Sequence, residues 1–363
     1  MKVLIVFNHP APYKIRFFNE LAKNVDLTVI FERSTSKNRN PLFYQQNKIQ
    51  FKCLFLKGIN IGDENHFSFC VVNHLKKNQY DLIIINGYST FTEMLAIRYL
   101  HAKRIPYALY VNGGVIRNDS KFKFKIKKSL ISGAHLYFSP SKSVNNYLVH
   151  YGALSNRIVN YPYSTIFEKE IAAANISSVE KNRIRKSYDF PGKTLFVSAG
   201  QFIERKNFIE LLEIWKTQPI ERTLILIGDG EELTKYTNYI RENKLSNVVI
   251  LPFMPTEKLF EVFRACDAFI LLSKEDIYGH VINEAMSQGL PVISSDRVVA
   301  AQHLINNGVN GYLVDYRSRE DVKKRVEDVI KNNFSDAPLN TARENTIEKM
   351  AAVHIEIFLE AVK

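Results

Sequence analysis

The sequence predicts an α/β protein built from two doubly wound parallel sheets, and three observations predict it. Short apolar runs alternate with longer helical patterns almost from end to end. Runs such as Leu82-Ile83-Ile84-Ile85 do not alternate with polar residues, as suits strands covered by helices on both faces. The alternation blurs between residues 160 and 192 and then restarts, so a second sheet follows the first. A length of 363 residues fits two domains at about 100–200 residues each. The expected boundaries are 1–165, 166–345 and a terminal helix, 346–363.

In order, the first strand, 2–7, ends at Asn8-His9-Pro10 after a short apolar run, and so reads as a buried strand and not a signal peptide. Strands 27–31, 51–56, 82–86, 107–111 and 135–138 follow, with helices expected over 14–24, 67–77, 90–101, 120–132 and 142–150. The second series of strands is 195–199, 223–227, 248–251, 268–272 and 291–294, with helices between them. Helices over 318–332 and 341–362 close the chain, the latter with Ile347, Met350, Val353, Ile357 and Phe358 at helical spacing. Ligands of open α/β sheets sit at the carboxyl ends of the strands, beside helix N-termini.

Composition narrows the class. Apolar residues make up 46% and charged residues 24%, too apolar for disorder, and no run approaches the ~18–20 residues of a membrane span. Cys53, Cys70 and Cys266 are too few and too scattered for a disulfide framework or a zinc site. The expectation is a cytoplasmic protein. Residues 1–160 hold 23 Lys and Arg against 8 Asp and Glu, a net +15, while residues 161–363 hold 26 against 29, a net −3. The first half therefore faces an anionic partner. Its densest stretch, Arg117 to Lys128, interleaves Lys121, Lys123, Lys125, Lys127 and Lys128 with Phe122, Phe124 and Ile126. Two readings stand, a solvated helix face and a patch for anionic lipid. No nucleic-acid-binding signature accompanies the charge.

The most informative segment runs from Ser273 to Ser295. A strand ends at Leu272, an acidic loop with Glu275 and Asp276 follows, and Gly279 allows close backbone approach. A helix then starts near His280, carries Glu284 one turn in, and ends at Gly289 before Pro291 opens the next strand. Free N–H groups at that helix start suit a phosphate.

This stretch resembles the E-x(7)-E signature of retaining GT-B glycosyltransferases of family 4, with Glu284 as the second acid and Asp276 as the first. Glu275, one residue out of register, stays an alternative. Ser198-Ala-Gly-Gln-Phe-Ile-Glu-Arg-Lys206-Asn resembles the family's Gly-Arg-Leu-x-x-x-Lys-Gly phosphate loop, and Ile227-Gly-Asp-Gly230 its Gly-x-Gly turn. Asn307-Gly-Val-Asn-Gly-Tyr-Leu-Val314 and, near the start, Pro12-Tyr13 through Phe17-Phe18-Asn-Glu-Leu are similar to further family segments. The resemblance implies a GT-B fold, in which the terminal helix 346–363 packs back on the first domain. It also implies that Glu284 binds ribose hydroxyls, Asp276 the donor sugar, and Lys206 with Arg205 the diphosphate, near Gly200. The backbone at Val281 and Ile282, with Tyr278, Gly279 and His280, would hold the distal phosphate, and Phe253-Met254 would lie near the base. Catalysis falls to Asp276, Glu284 and Lys206, with no metal and no other cofactor.

Three departures qualify this. Gln201 stands where the family has a basic residue, a place Arg205 can fill. Asn8-His9-Pro10-Ala11-Pro12 replaces the glycine pair of the first loop. Asn112-Gly113-Gly114 replaces the family's His-x-Gly turn. His9, Tyr13, Asn112, Gly113 and Gly114 are the acceptor-side candidates, and His66 and His354 carry no spacing that asks for a role. The resulting expectation is a retaining transfer of a hexose or N-acetylhexosamine from a nucleotide-sugar, UDP-sugar favoured. The acceptor expected is a glycan or polyprenyl-diphosphate-linked one, in capsule or O-antigen assembly at the inner face of a bacterial membrane. The alternatives are a catalytically silent nucleotide-sugar- or membrane-binding partner of another transferase, and an epimerase or phosphorylase of the same fold.

Overall fold

The computed structural model describes residues 1–35, 48–62, 65–76 and 79–362. The chain divides into two compact units, Met1–Thr165 with Thr346–Lys363, and Ile166–Asn345. The first unit opens with β1 (Lys2–Phe7), α1 (Pro12–Leu21), β2 (Asp26–Phe31) and β3 (Lys52–Phe55). A small antiparallel hairpin, β4 (Ile59–Ile61) and β5 (Asn65–Phe67), precedes β6 (Leu82–Asn86) and α2 (Phe91–Ala102). Then come β7 (Ala108–Tyr110), α3 (Lys121–Ile131), β8 (Leu136–Ser139), α4 (Lys142–His150) and β9 (Ile158–Asn160). Seven strands form one parallel sheet in the order β3-β2-β1-β6-β7-β8-β9. The order reverses between β1 and β6, and in such sheets that switch point opens a crevice at the carboxyl ends.

Where a helix over 67–77 is expected, the structure has the end of the hairpin and one 3₁₀ helix, Phe69–His74; residue 77 lies outside the described residues. Only Val71 of that turn is buried, so no apolar stripe drives a longer helix. Ser68 fixes the corner instead, accepting from Cys70 N–H and donating to the Lys57 carbonyl at 2.6 Å.

The second unit begins with α5 (Ser178–Ser187), β10 (Thr194–Ala199), α6 (Phe208–Trp215), β11 (Arg222–Ile227) and α7 (Leu233–Glu242). It continues through β12 (Val248–Leu251), α8 (Thr256–Ala265), β13 (Ala268–Leu271), α9 (Val281–Met286) and β14 (Val292–Ser295). α10 (Val299–Leu304), β15 (Gly311–Val314), α11 (Arg319–Lys331) and α12 (Ala337–Arg343) complete it. Its six parallel strands run β12-β11-β10-β13-β14-β15, with the switch point between β10 and β13. The Asn-Gly turn at 307–311 thus leads into a sixth strand that the apolar runs do not mark. The expected helix 341–362 is two helices. Thr346 ends the first as the N-cap of α13 (Ile347–Ala361), its hydroxyl accepting from Lys349 N–H at 3.2 Å.

α13 belongs to the first unit and packs on α1 through Ile347, Met350, Ala351, His354 and Phe358. His354 is completely buried, stacked on Tyr110 and Phe138, and its Nδ1 lies 2.6 Å from the Met350 carbonyl while its Nε2 meets the Tyr110 hydroxyl. No helix among the described residues is long and apolar enough to cross a membrane. All three cysteines are free thiols.

Candidate active site

The two motif segments are the loops that leave β10 and β13, the strands on either side of the second switch point. The first loop passes Gly200 and Gln201, makes a short 3₁₀ turn over Glu204–Lys206, and enters α6 through Asn207. Asn207 has φ of +59°, the left-handed conformation that asparagine tolerates better than most residues and that the glycine of the resembled motif would supply. Its Nδ2 donates to the Leu272 carbonyl at 3.1 Å, which ties this loop to the end of β13. Lys274 N–H donates to the Arg205 carbonyl at 2.8 Å, a second tie. The Gly228–Gly230 turn after β11 supports the loop from the other side. A Cβ on Gly228 would stand 1.9 Å from the Gly200 carbonyl oxygen, and one on Gly230 would stand 2.5 Å from that of Phe202. These glycines are required by backbone packing.

The second loop is held at Asp276, whose N–H donates to the Arg297 carbonyl at 3.2 Å. Gly279, at φ of +93°, turns it into α9 against Val298, whose Cγ1 would stand 2.4 Å from an added Cβ. Between the loops lies an ion cluster. Lys206 Nζ donates to Asp276 Oδ2, and Arg205 Nη1 lies 3.6 Å from Asp276 Oδ1. Both Lys206 and Asp276 are about nine-tenths buried. Burial alone would raise the Asp276 carboxyl, but Lys206, Arg205 and His280 together hold it below the usual range. Asp276 is therefore a carboxylate at neutral pH, held between two basic side chains at a strand end.

The other predicted donor-side residues fall at the same end of the sheet. His280 is the N-cap of α9, half-buried, with its ring 4.8 Å from that of Tyr278. Val281 opens α9, Ile282 turns its side chain into the core, and Glu284 is half-buried one turn in. Phe253, 40% exposed, and the half-buried Met254 follow β12, the edge strand two places from β10. Among the described residues no group of His, Cys, Asp and Glu is arranged to hold a metal.

In the first unit, the acceptor-side candidates lie on the loops after β1 and β7 and, for Tyr13, in the first turn of α1. His9 and Tyr13 are half-buried. Asn112 donates from Nδ2 to Asn86 Oδ1 at 3.1 Å and accepts from the Tyr161 hydroxyl at 2.8 Å, so its amide is fixed between neighbours. Gly113 and Gly114 are half-buried, and Gly114 packs on the Tyr147 ring. Next to Tyr13, Lys14 is 1% exposed and surrounded by the rings of Phe7, Tyr13, Phe17, Tyr110 and Tyr163 at 4.4–5.8 Å. Burial pulls its amine down to about 7. Neither Lys14 nor Asn86 is marked by any spacing in the sequence, whereas Asn207 is marked by its place after Lys206.

The basic α3 is exposed along Lys121, Phe122, Lys123, Lys125 and Lys128, with Phe122 at 75%. Lys127 instead turns inward to Asp119 at 2.7 Å, and Asp119 also accepts from the Tyr151 hydroxyl. On the same unit Phe55, Ile59, Ile61 and Phe69 are exposed around the hairpin.

The chain has counterparts among known proteins. A family model, glycosyl transferases group 1, matches residues 180–350. The chain is 29% identical over 159 residues to the lipopolysaccharide core biosynthesis glycosyltransferase LpsE of Rhizobium meliloti, covering 44% of this chain and 45% of that protein. The chain spans less than half the length of several of the curated relatives it matches, LpsE among them. It is 19% identical over 361 residues to the O-antigen biosynthesis glycosyltransferase WclY of Escherichia coli, covering 93% of this chain and 98% of WclY. The crystal structure of Anabaena HepE in complex with UDP superposes with a TM-score of 0.79 at 16% identity, covering 99% of this chain and all of that one. The chain thus has the GT-B fold, carries the glycosyl transferases group 1 pattern over residues 180–350, and is similar to bacterial glycosyltransferases of polysaccharide biosynthesis.

Proposed function

We propose that the protein transfers a sugar, with retention of anomeric configuration, from a UDP-sugar to a glycan or polyprenyl-diphosphate-linked acceptor in surface-polysaccharide synthesis. The observation that carries this reading is the Lys206–Asp276–Arg205 cluster at the second switch point. Breaking the bond from sugar to nucleotide leaves negative charge on the diphosphate, and preorganised cations stabilise it without reorganisation. Lys206 and Arg205 supply that charge, the N–H of Val281 adds to it, and no metal is needed; the N–H of Ile282, expected to do the same, instead donates to the Gly279 carbonyl at 3.0 Å. Asp276 orients Lys206 and reaches donor-sugar hydroxyls. Glu284 takes the ribose hydroxyls. UDP is favoured because the similar HepE structures hold UDP or UDP-glucose. In a retaining transfer the leaving phosphate accepts the acceptor's proton, so Asn112 in place of histidine does not remove a required base.

The acceptor is assigned to the basic first unit, through His9, Tyr13, Asn112, Gly113 and Gly114. Exposed lysines alternate there with exposed Phe122, and each basic residue near anionic lipid contributes about 1 kcal/mol, which suits peripheral contact with a membrane carrying the acceptor.

The test is thermal unfolding with UDP, GDP, dTDP and CDP, on the protein and on Glu284→Ala. At about a hundred times its dissociation constant one nucleotide, UDP, should stabilise by ~2.7 kcal/mol, and the variant should lose the effect. No response to any nucleotide would overturn the donor reading and favour a catalytically silent partner, the reading that Gln201 and Asn112 also suit.

A further inference from the structure

The exits of β2, β1 and β6 at the first switch point are tied together by two buried carboxylates that the proposed transfer does not use. Glu32, directly after β2, and Glu93, in the first turn of α2, are each 1% exposed. Glu93 Oε2 accepts from the N–H groups of Ser89 at 2.7 Å and Thr90 at 3.1 Å, while its own N–H donates to Thr90 Oγ1 at 3.1 Å. Thr90 Oγ1 in turn donates to Glu32 Oε1 at 2.7 Å. The backbone continues the chain, since Glu32 N–H reaches the Phe7 carbonyl at 3.0 Å and Arg33 N–H the Asn8 carbonyl at 3.1 Å. Thr90 therefore links the two acids, and the Gly87–Thr90 loop hangs from that link.

The two acids are not equivalent. Burial raises the Glu93 carboxyl to about 7, less far than Glu32, because it accepts two backbone N–H groups at a helix N-terminus that favour its charged form. Glu32 has one donor, and its Oε2 is buried without a hydrogen bond, 3.9 Å from His66 Nδ1. Among the described residues, the charged and titratable groups facing Glu32 are Glu93 from α2, His66 from the hairpin and Arg33 beside it. Burial raises the Glu32 carboxyl and repulsion by Glu93 raises it further, against smaller opposing effects of Thr90 and Arg33. Burial and Arg33 keep His66 neutral, so it supplies no counter-charge.

We infer that Glu32 and Glu93 are positioning residues that hold the Gly87–Thr90 loop in one conformation only while Glu32 carries its proton. Ionising Glu32 would put two negative charges on either side of Thr90 with one hydroxyl between them, and the link would part. The same loop carries Tyr88, hydrogen-bonded to Tyr147, and follows Asn86, the partner of Asn112. Its release would unfix the acceptor-side candidates, a consequence that rests on the proposed function, whereas the proton dependence does not.

The test is hydrogen–deuterium exchange of residues 86–93 in the intact protein from pH 5.5 to 9.5, with rates corrected for intrinsic exchange. Protection should fall by about tenfold as pH rises, the scale of losing a helix cap, with residues 121–131 unaffected. Glu32→Gln, which keeps the shape and cannot ionise, should restore protection at high pH, and Thr90→Val should lower it at every pH. Protection independent of pH in the unaltered protein, or a pH dependence that survives in Glu32→Gln, would overturn the inference. A parallel UDP titration reports on the second unit alone, so loss of UDP binding with the pH effect intact would count against the donor reading and not against this one.

Discussion

The carboxyl ends of the two sheets bury charge in opposite ways. At the second switch point every buried charge has a partner, with Asp276 between Lys206 and Arg205. At the first, Lys14 lies among aromatic rings and Glu32 lies beside another acid. A charge buried with its counter-ion stays charged across the physiological range, whereas a charge buried without one titrates near it. The second unit therefore holds constant charge at its switch point, as the proposed donor site needs. The first is built to change with pH.

Removing one partner from the paired site should have the largest effect. Asp276→Ala leaves Lys206 buried against Arg205 alone, and breaking a buried ion pair costs about 3–5 kcal/mol. Urea unfolding should show that loss across pH 6–8, together with loss of nucleotide stabilisation. A variant as stable as the parent would mean that Lys206 reaches water and that the site is not preorganised.

Lys14→Met tests the unpaired side and should act in the opposite direction. The Lys14 amine falls from its ordinary 10.5 to about 7 in the folded chain. A base lowered in this way costs stability below about pH 7, and the cost is relieved as pH rises from 7 to 10.5. The parent should gain on the order of 2–4 kcal/mol across that window relative to Lys14→Met, cation–π attraction to the surrounding rings offsetting part of the full shift. At pH 7 the variant should be the more stable of the two. Parallel stability curves would show that the rings keep the ammonium charged. The Glu32 effect has the reverse sign, because an acid raised by burial loses stability from about pH 4.5 upward.

The same contrast accounts for what the sequence discloses. The buried parallel strands are legible because an uninterrupted apolar run between turn residues suits a strand covered on both faces and little else. The second site is legible because its charges stand in contiguous segments at loop exits. Lys14 is not legible, since a lysine between Tyr13 and Ile15 looks like any helix-surface residue until the rings of Phe7, Tyr110 and Tyr163 join those of Tyr13 and Phe17 around it. Glu32 reads as an ordinary acid after a strand, and Glu93 as a helix cap. Their meeting through Thr90 depends on which strands neighbour β1. Short elements are lost for a related reason. β9 and the hairpin strands are three residues each, too brief for any period to show, and the break at Thr346 is a cap inside an otherwise helical pattern.

Two glycines sharpen the comparison at the smallest scale. Gly228 abuts backbone, with the Gly200 carbonyl 1.9 Å from where a Cβ would be, whereas Gly114 abuts the Tyr147 ring at 2.8 Å. A carbonyl in a loop tied at Leu272 and Arg205 cannot turn aside, so Gly228→Ala should cost about 1–3 kcal/mol, the range for overpacking. It should also weaken nucleotide binding, because the displaced segment carries Lys206. A ring can tilt. Gly114→Ala should cost less than about 1 kcal/mol and leave nucleotide stabilisation unchanged, its effect confined to the Tyr147–Tyr88 hydrogen bond. Equal losses in the two variants would mean that the first loop is as rigidly braced as the second, and the division between a fixed site on the second unit and an adjustable one on the first would fail.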